Sequence, residues 1–374
     1  MITALAFSTI EAIDRSAWND CFPDELEDWD YYRAVERAGI TDFQWRYLAL
    51  YEDDVLIAAA VAFTTVYSLG ATIQGLSKCI CERLRRWWPG LLDVRLYALG
   101  SPMAEQCHVG TSHSIDRARR PLLLQQILDL ARADANQAGI GLLAVKDASH
   151  RDPQWLQVCQ DNKLQSMPGL PRAELPIRFG TVDAYLGTLG KSTRKDLRRT
   201  LRGQGPRIEW RRSVDDVLPT MMQLYEATRV RSDLALHCLP ADYFRQVLEH
   251  LDQRAACVLY WVSEELVAFN LVLRDEQRLV DKLFAHDRSQ TREHNLFVRS
   301  WLANVDYCIE HGLSLYACGQ AGNARKLQLG CSFIGNTVFF RHRNRVLDSL
   351  LRVTKLFIRP DRSDPAMAAA ISEA

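Results

Sequence analysis

No apolar run in this sequence approaches the roughly 18 residues of a membrane-spanning helix, and its N-terminus lacks a charged segment followed by a long apolar one. These absences predict a cytoplasmic protein with no membrane span. Net charge is missing as well. Lys plus Arg and Asp plus Glu stand at 46 each, so overall charge gives no argument for nucleic acid, and only local basic patches matter. The ten cysteines contain no C-x-x-C pair, which indicates neither a zinc site nor a disulfide framework. Cys107-His108 with His113 lacks a further ligand at metal spacing, so no metal is expected. Also absent are G-x-S-x-G, a Walker A sequence and the Rossmann glycine fingerprint. A serine nucleophile elbow, a P-loop and a dinucleotide site therefore have no support.

What is present is an ordinary globular composition, 48% hydrophobic and 25% charged, and 374 residues favour two domains over one core. Two similar units can be traced. Tyr47 to Tyr51 and Val55 to Thr64 flank the acidic Glu52-Asp53-Asp54, which predicts a hairpin. Pro121 opens a helix that Gly139 closes, and Leu142 to Val145 has the pattern of a strand. Moved 173 positions along, Arg119, Leu123, Leu128, Gly139 and Leu142 fall on Arg292, Leu296, Trp301, Gly312 and Leu315; Leu56-Ile57-Ala58 falls on Leu266-Val267-Ala268 at 210. The offsets differ by 37, which places an insertion of that size in the first unit, around the basic aromatic segment Arg83 to Pro89. That segment suits either an interface or inward packing of its Trp residues. The Pro/Gly cluster Met167 to Pro171 marks the join. The expected domains are 1–172 and 173–350, with a C-terminal helix and flexible tail over 351–374.

In the second unit, helices at Asp215 to Ser232 and Asp242 to Leu251 precede strands at Cys257 to Val262, Leu266 to Arg274 and Arg278 to Ala285. A polar turn from Arg288, a helix ending near His311-Gly312 and a strand Leu313 to Cys318 follow. A turn feeding a helix N-terminus presents unpaired N–H groups and the positive end of the dipole, which suits phosphate or carboxylate. Six basic residues on about three helical turns (Lys191, Arg194, Lys195, Arg198, Arg199 and Arg202) suit a polyanion, or form a solvated helix face.

Three features carry a resemblance to the double-domain FemAB-like branch of the GNAT acyltransferase superfamily, over Ile13 to Arg343. They are the order of elements, the stretch Lys191-Ser192-Thr193-Arg194-Lys195-Asp196-Leu197-Arg198-Arg199, and Gly319 followed by Lys326 and Leu329-Gly330-Cys331. The resemblance implies an α/β fold of two tandem GNAT-like domains, each a mixed, mostly antiparallel sheet flanked by helices. It also implies an N-acyltransferase that forms an amide from an acyl-CoA or carrier-protein thioester and the amine of a small molecule or cell-envelope precursor. An aminoacyl-tRNA-dependent aminoacyltransferase is the alternative, with acyl-CoA or aminoacyl-tRNA as co-substrate and nothing tightly bound. A non-catalytic double-GNAT binding module is the reading from another class.

By the same resemblance the donor lies against Ser289, Gln290, Thr291, Arg292 and Asn295 of the turn and Tyr316 and Cys318 of the fifth strand, and anion or acceptor groups meet Lys191, Arg194, Lys195 and Arg198. The turn has no glycine, whereas typical acetyl-CoA turns of the superfamily carry Q/R-x-x-G-x-G/A so that phosphate approaches the backbone. The first unit has Pro121 at the matching turn, where an N–H is missing. It is therefore expected to be scaffold and acceptor wall, with the second unit on the donor and catalytic side. Amide formation needs an amine made neutral and a polarised carbonyl. Asp281 could receive the amine proton or pair with Lys282 or Arg278; His286 has the intrinsic pKa of a base or is a solvated turn residue. Lys326 could neutralise a phosphate or an oxyanion, or be an exposed lysine.

Overall fold

The computed structural model describes residues 1–68, 93–232 and 238–354; the segment Arg83 to Pro89 and the tail from Pro360 lie outside them. The chain forms two compact units. Of the described residues, one takes Met1–Trp29, Thr41–Leu170 and those from Gly335 onward; the other takes Asp30–Ile40 and Pro171–Ile334.

The first unit contains β1 (Ile2–Phe7), β2 (Gln44–Glu52), β3 (Val55–Ser68), β4 (Asp93–Leu99), β5 (Val109–Thr111), β6 (Leu142–Ser149) and β7 (Gln165–Pro168). The second contains β8 (Arg172–Pro176), β9 (Arg207–Arg211), β10 (Ala255–Val262), β11 (Glu265–Arg274), β12 (Arg278–His286), β13 (Leu315–Ala317) and β14 (Ser332–Ile334), after which β15 (Asn336–His342) returns to the first sheet. The strand orders are β1-β2-β3-β4-β6-β15-β7, with β5 on β3, and β9-β10-β11-β12-β13-β8-β14. Position by position the two orders are the same. In each sheet one internal pair is parallel, β4 with β6 and β12 with β13, while the neighbouring pairs are antiparallel.

The repeat extends to detail. Asp53 and Asp54 at the β2–β3 tip have φ of 50° and 64°, and Ser263 and Glu264 at the β10–β11 tip have 47° and 65°. Two successive left-handed residues match the twist of the flanking strands, and polar side chains tolerate that conformation. A bulge follows Leu50 in one hairpin and Tyr260 in the other, 210 positions apart. Each unit then packs a helix on its sheet, Arg120–Gln137 against β1, β2 and β3 and Leu296–Glu310 against the parallel pair β12 and β13. Arg120–Gln137 buries Leu123, Ile127, Leu128, Ala131 and Ala135; Leu296–Glu310 buries Leu296, Ser300, Trp301, Asn304 and Cys308 at the same spacing, 173 positions on. Truncating Leu123, Leu128, Leu296 or Trp301 to alanine would cost about 2–5 kcal/mol.

A single cut after residue 172 does not separate the units, because strand pairing decides membership. β15 lies between β6 and β7 through Phe339↔Val145 and Phe339↔Ser166, and β8 lies between β13 and β14 through Leu175↔Tyr316 and Ala173↔Phe333. Each repeat thus ends on a strand placed in the other repeat's sheet. The C-terminal helix expected from residue 351 begins earlier, at Arg345 (Arg345–Thr354). Among the described residues no helix is long and apolar enough to cross a membrane.

Candidate functional site

The parallel pairing of β12 and β13 lasts three residues, Arg278↔Leu315, Leu279↔Tyr316 and Val280↔Ala317. β12 then runs on to His286, while the chain after Ala317 turns towards β8, the Cys318 N–H donating to Ala173 O at 2.8 Å. Asp281 is the first residue past the last pair. It stands opposite Val272, and Leu283 stands opposite Leu271, so Lys282 is an extra residue in the strand. A bulge of this kind re-aims side chains. Beyond it, His286 and Phe284 stand opposite Ala268 and Asn270, which puts Asp281, Phe284 and His286 on one face of the sheet.

A polar chain converges on Asp281. Asn270 Nδ2 donates to Asp281 Oδ1 at 2.9 Å and to Leu283 O at 3.3 Å; Tyr316 OH donates to Asp281 Oδ2 at 3.0 Å. Behind these, Tyr260 OH donates to Asn270 Oδ1 at 3.1 Å and Asn304 Nδ2 to Tyr316 OH at 2.9 Å. Asn270 and Asn304 are fully buried, where an unpaired amide would be costly. Burial pushes the Asp281 carboxyl up to about 6, against the opposing pull of the Lys326 charge and of the Tyr316 and Asn270 hydrogen bonds. A carboxylate tuned in this way is ionised at neutral pH yet basic enough to take a proton.

Lys326, on the short helix Asn323–Gln328, is 5% exposed and donates through Nζ to Cys318 O and, at 3.0 Å, to Gly319 O. It is a buried ammonium tying down the turn after β13 rather than a surface lysine. The Cys318 thiol donates to Tyr316 O and lies 3.8 Å from Cys331 Sγ. Burial pushes it well above the ordinary thiol range, which makes it a poor nucleophile.

The first unit has none of this polarity at the equivalent places. Both hairpin registers and both parallel registers align Tyr260, Asn270, Asp281 and Tyr316 with Leu50, Ala60, Leu99 and Leu143. At the helix offset of 173, Asn304 and Ser300 fall on Ala131 and Ile127. All six counterparts belong to the first unit's apolar core. The gap beside β6 is also closed there by the segment after β4, with Cys107 N–H on Asp147 O at 2.8 Å and Lys146 Nζ on Ala104 O at 2.8 Å.

The other expected residues are placed as follows. The polar turn is itself a helix, Arg288–His294, because the Asp287 carboxylate caps it, accepting from the Ser289 N–H at 2.7 Å and the Ser289 hydroxyl at 2.8 Å. Ser289 is thereby engaged, Gln290 is half-buried, and the side chains of Thr291 and Arg292 lie outside the described set. Asn295, at φ 51°, breaks this helix from Leu296–Glu310, whose N-terminus has no side-chain cap. His286 has its ring against Phe284, and its backbone bonds Thr228 and Arg231; burial lowers its pKa. Lys191 and Lys195 project exposed from the helix Lys191–Arg202, Arg194 donates to Gly187 O at 3.1 Å, and Arg198 pairs with Asp183 at 3.2 Å. The structure therefore gathers Asp281, Tyr316, Cys318 and Lys326, and joins no basic-helix residue to them by a hydrogen bond. Asn270, Asn304 and Tyr260 went unremarked in the sequence. Their signal was polarity in one repeat where the other is apolar.

Two tandem units with this strand order define a double GNAT fold. Solved structures with it include FemX (14% identical, TM-score 0.59, 93% of this chain and 99% of that one). A tandem GNAT protein from the clavulanic acid biosynthesis pathway is another (11% identical, TM-score 0.51, 92% and 99%). The C-terminal domain of an Agrobacterium fabrum protein described as a lysylphosphatidylglycerol synthetase also matches (14%, TM-score 0.54, 90% and 94%). Residues 9–353 match the FemAB-like family, described by peptidoglycan biosynthesis/recognition, and the chain belongs to that family. Among curated proteins it is 22% identical over 330 residues to a Mycobacterium tuberculosis protein provisionally named 8-amino-7-oxononanoate synthase 2. The match spans 84% of this chain but 42% of that protein.

Proposed function

We propose that the protein is an N-acyltransferase that joins an acyl group, carried as a thioester, to the amine of a small molecule or cell-envelope precursor. The single observation that carries this reading is the Asp281 network at the parting of β12 and β13, present in the second unit and replaced by apolar core in the first. Membership of the FemAB-like family agrees with it. The amine nitrogen attacks the donor carbonyl carbon, Asp281 takes the amine proton, and the thiolate leaves as the C–S bond breaks. Two N–H groups of Lys326 are held by carbonyls; the third is available to the developing oxyanion. The uncapped start of Leu296–Glu310 is where donor phosphate would lie.

A specific observation also favours a second reading, transfer from an aminoacyl-tRNA. Lys191, Lys195, Arg198, Arg199 and Arg202 form an exposed basic face on one helix, and the anion turn lacks glycine. The deciding measurement is thermal stability with acetyl-CoA, longer acyl-CoA and charged tRNA, since a ligand of the native state raises Tm by mass action. A rise with an acyl-CoA, followed by amide formation that Asp281→Asn abolishes, is the expected outcome. A rise with charged tRNA alone, lost on ribonuclease treatment, transfers the assignment to the second reading. Silence with all three removes the donor.

A further inference from the structure

The helix Arg345–Thr354 that follows β15 is amphipathic in the wrong sense for a helix packed on a core. A polar residue fastens it to the first unit: the Asp348 carboxylate accepts the His342 N–H at 2.8 Å, and Asp348 O accepts from Gln165 Nε2 at 2.7 Å. At 100° per residue, Arg345, Asp348, Ser349 and Arg352 share one side. Val346, Leu347 and Leu350 lie on the other and are 75%, 44% and 57% exposed. From Arg341 to Arg352 there are four basic residues (Arg341, Arg343, Arg345 and Arg352) against one acid, Asp348, in a chain whose net charge is zero.

We propose that this helix is an interfacial anchor that lays its apolar stripe on a lipid surface rich in anionic headgroups. Basic residues alongside an exposed apolar stripe are the combination that such a surface holds, through apolar burial and charge together. A second copy of the chain fits less well. Ten residues make a helix about 15 Å long, so a stripe roughly 10 Å wide offers on the order of 150 Å² to a second copy, far below the roughly 800 Å² per partner of a stable interface. The inference does not rest on the transferase reading, because its readout is lipid binding.

The test is co-sedimentation of the full chain with vesicles of phosphatidylcholine alone and of phosphatidylcholine mixed with phosphatidylglycerol. The expected result is binding to the mixed vesicles, weakened by salt, and reduced about tenfold or more in Val346→Asp/Leu350→Asp. Because that variant could lose its fold, Arg345→Glu/Arg352→Glu is measured beside it and should lose binding to the mixed vesicles selectively. Absence of binding to either vesicle, or binding unchanged in both variants, overturns the proposal. So does a dimer of the unaltered chain that Val346→Asp/Leu350→Asp splits while neither form binds vesicles, which would make the face a self-interface.

Discussion

Asp281 sits in an environment that pulls its proton affinity in two directions, and the balance makes a pH prediction. Burial raises its pKa from 3.8 to about 6, so the folded chain keeps a proton that the unfolded chain has already released. The sign for stability follows from that difference. Between about pH 4 and pH 6 the contribution of this group falls as pH rises, by on the order of 2–3 kcal/mol at most. Activity should move the other way, climbing through about pH 6 as the base ionises. Asp281→Asn should flatten the pH dependence of Tm over that window and remove the activity. Tyr316→Phe deletes one of the two donors to the carboxylate, so the acid limb of the rate profile should shift to higher pH. It also strands Asn304 Nδ2, costing about 1–3 kcal/mol of stability. A Tyr316→Phe profile superimposable on that of the unaltered protein would mean that another group titrates.

At the scale of elements, legibility followed the strength of the pattern. The hairpins, the helices Arg120–Gln137 and Leu296–Glu310 and their succession were readable because apolar spacing, polar tips and the closing Gly139 and Gly312 all pointed the same way. The short strands β1, β9, β14 and β15 were not, since three to seven residues give periodicity little to work on. The polar run Arg288–His294 has no apolar stripe, and its helix depends on the Asp287 cap. Asp281, Tyr316 and Lys326 could be singled out one by one, but their convergence required the register of β12 against β13 and the bulge at Lys282, neither of which is local. The basic helix Lys191–Arg202 depends on a similar distant contact. Arg299, one turn into Leu296–Glu310, donates to Thr200 O and Gly203 O at its C-terminal end. Arg299→Ala leaves those carbonyls without the guanidinium, so the last turn should exchange its amide hydrogens faster and Tm should fall by the equivalent of about 1–3 kcal/mol. If exchange at Thr200 to Gly203 is unaltered, the arginine is not what holds the helix end.

For the molecule as a whole, the exchange of β8 and β15 means that the sequence repeats are not the folding units. The first sheet needs β15 to join β6 to β7, and those residues arrive only after the second repeat is complete. A fragment ending at Leu170 therefore keeps β1 to β6 but exposes the Leu142–Ser149 edge and leaves β7 without a partner strand. An uncovered edge of that kind pairs with other chains. The second unit differs, because β8 lies at its own N-terminal boundary and Pro171–Ile334 retains all seven strands of its sheet, lacking, among the described residues, Asp30–Ile40. The two fragments should accordingly behave unequally. Residues 1–170 should aggregate or show no cooperative transition, and a chain with the strand Asn336–His342 joined after residue 170 through a flexible linker should recover cooperative melting and protease resistance. Residues 171–334 should be the more soluble of the two linear pieces. If residues 1–170 melt cooperatively as a monomer, the sheet closes without its exchanged strand, and the coupling of the two repeats through that exchange is not needed for folding.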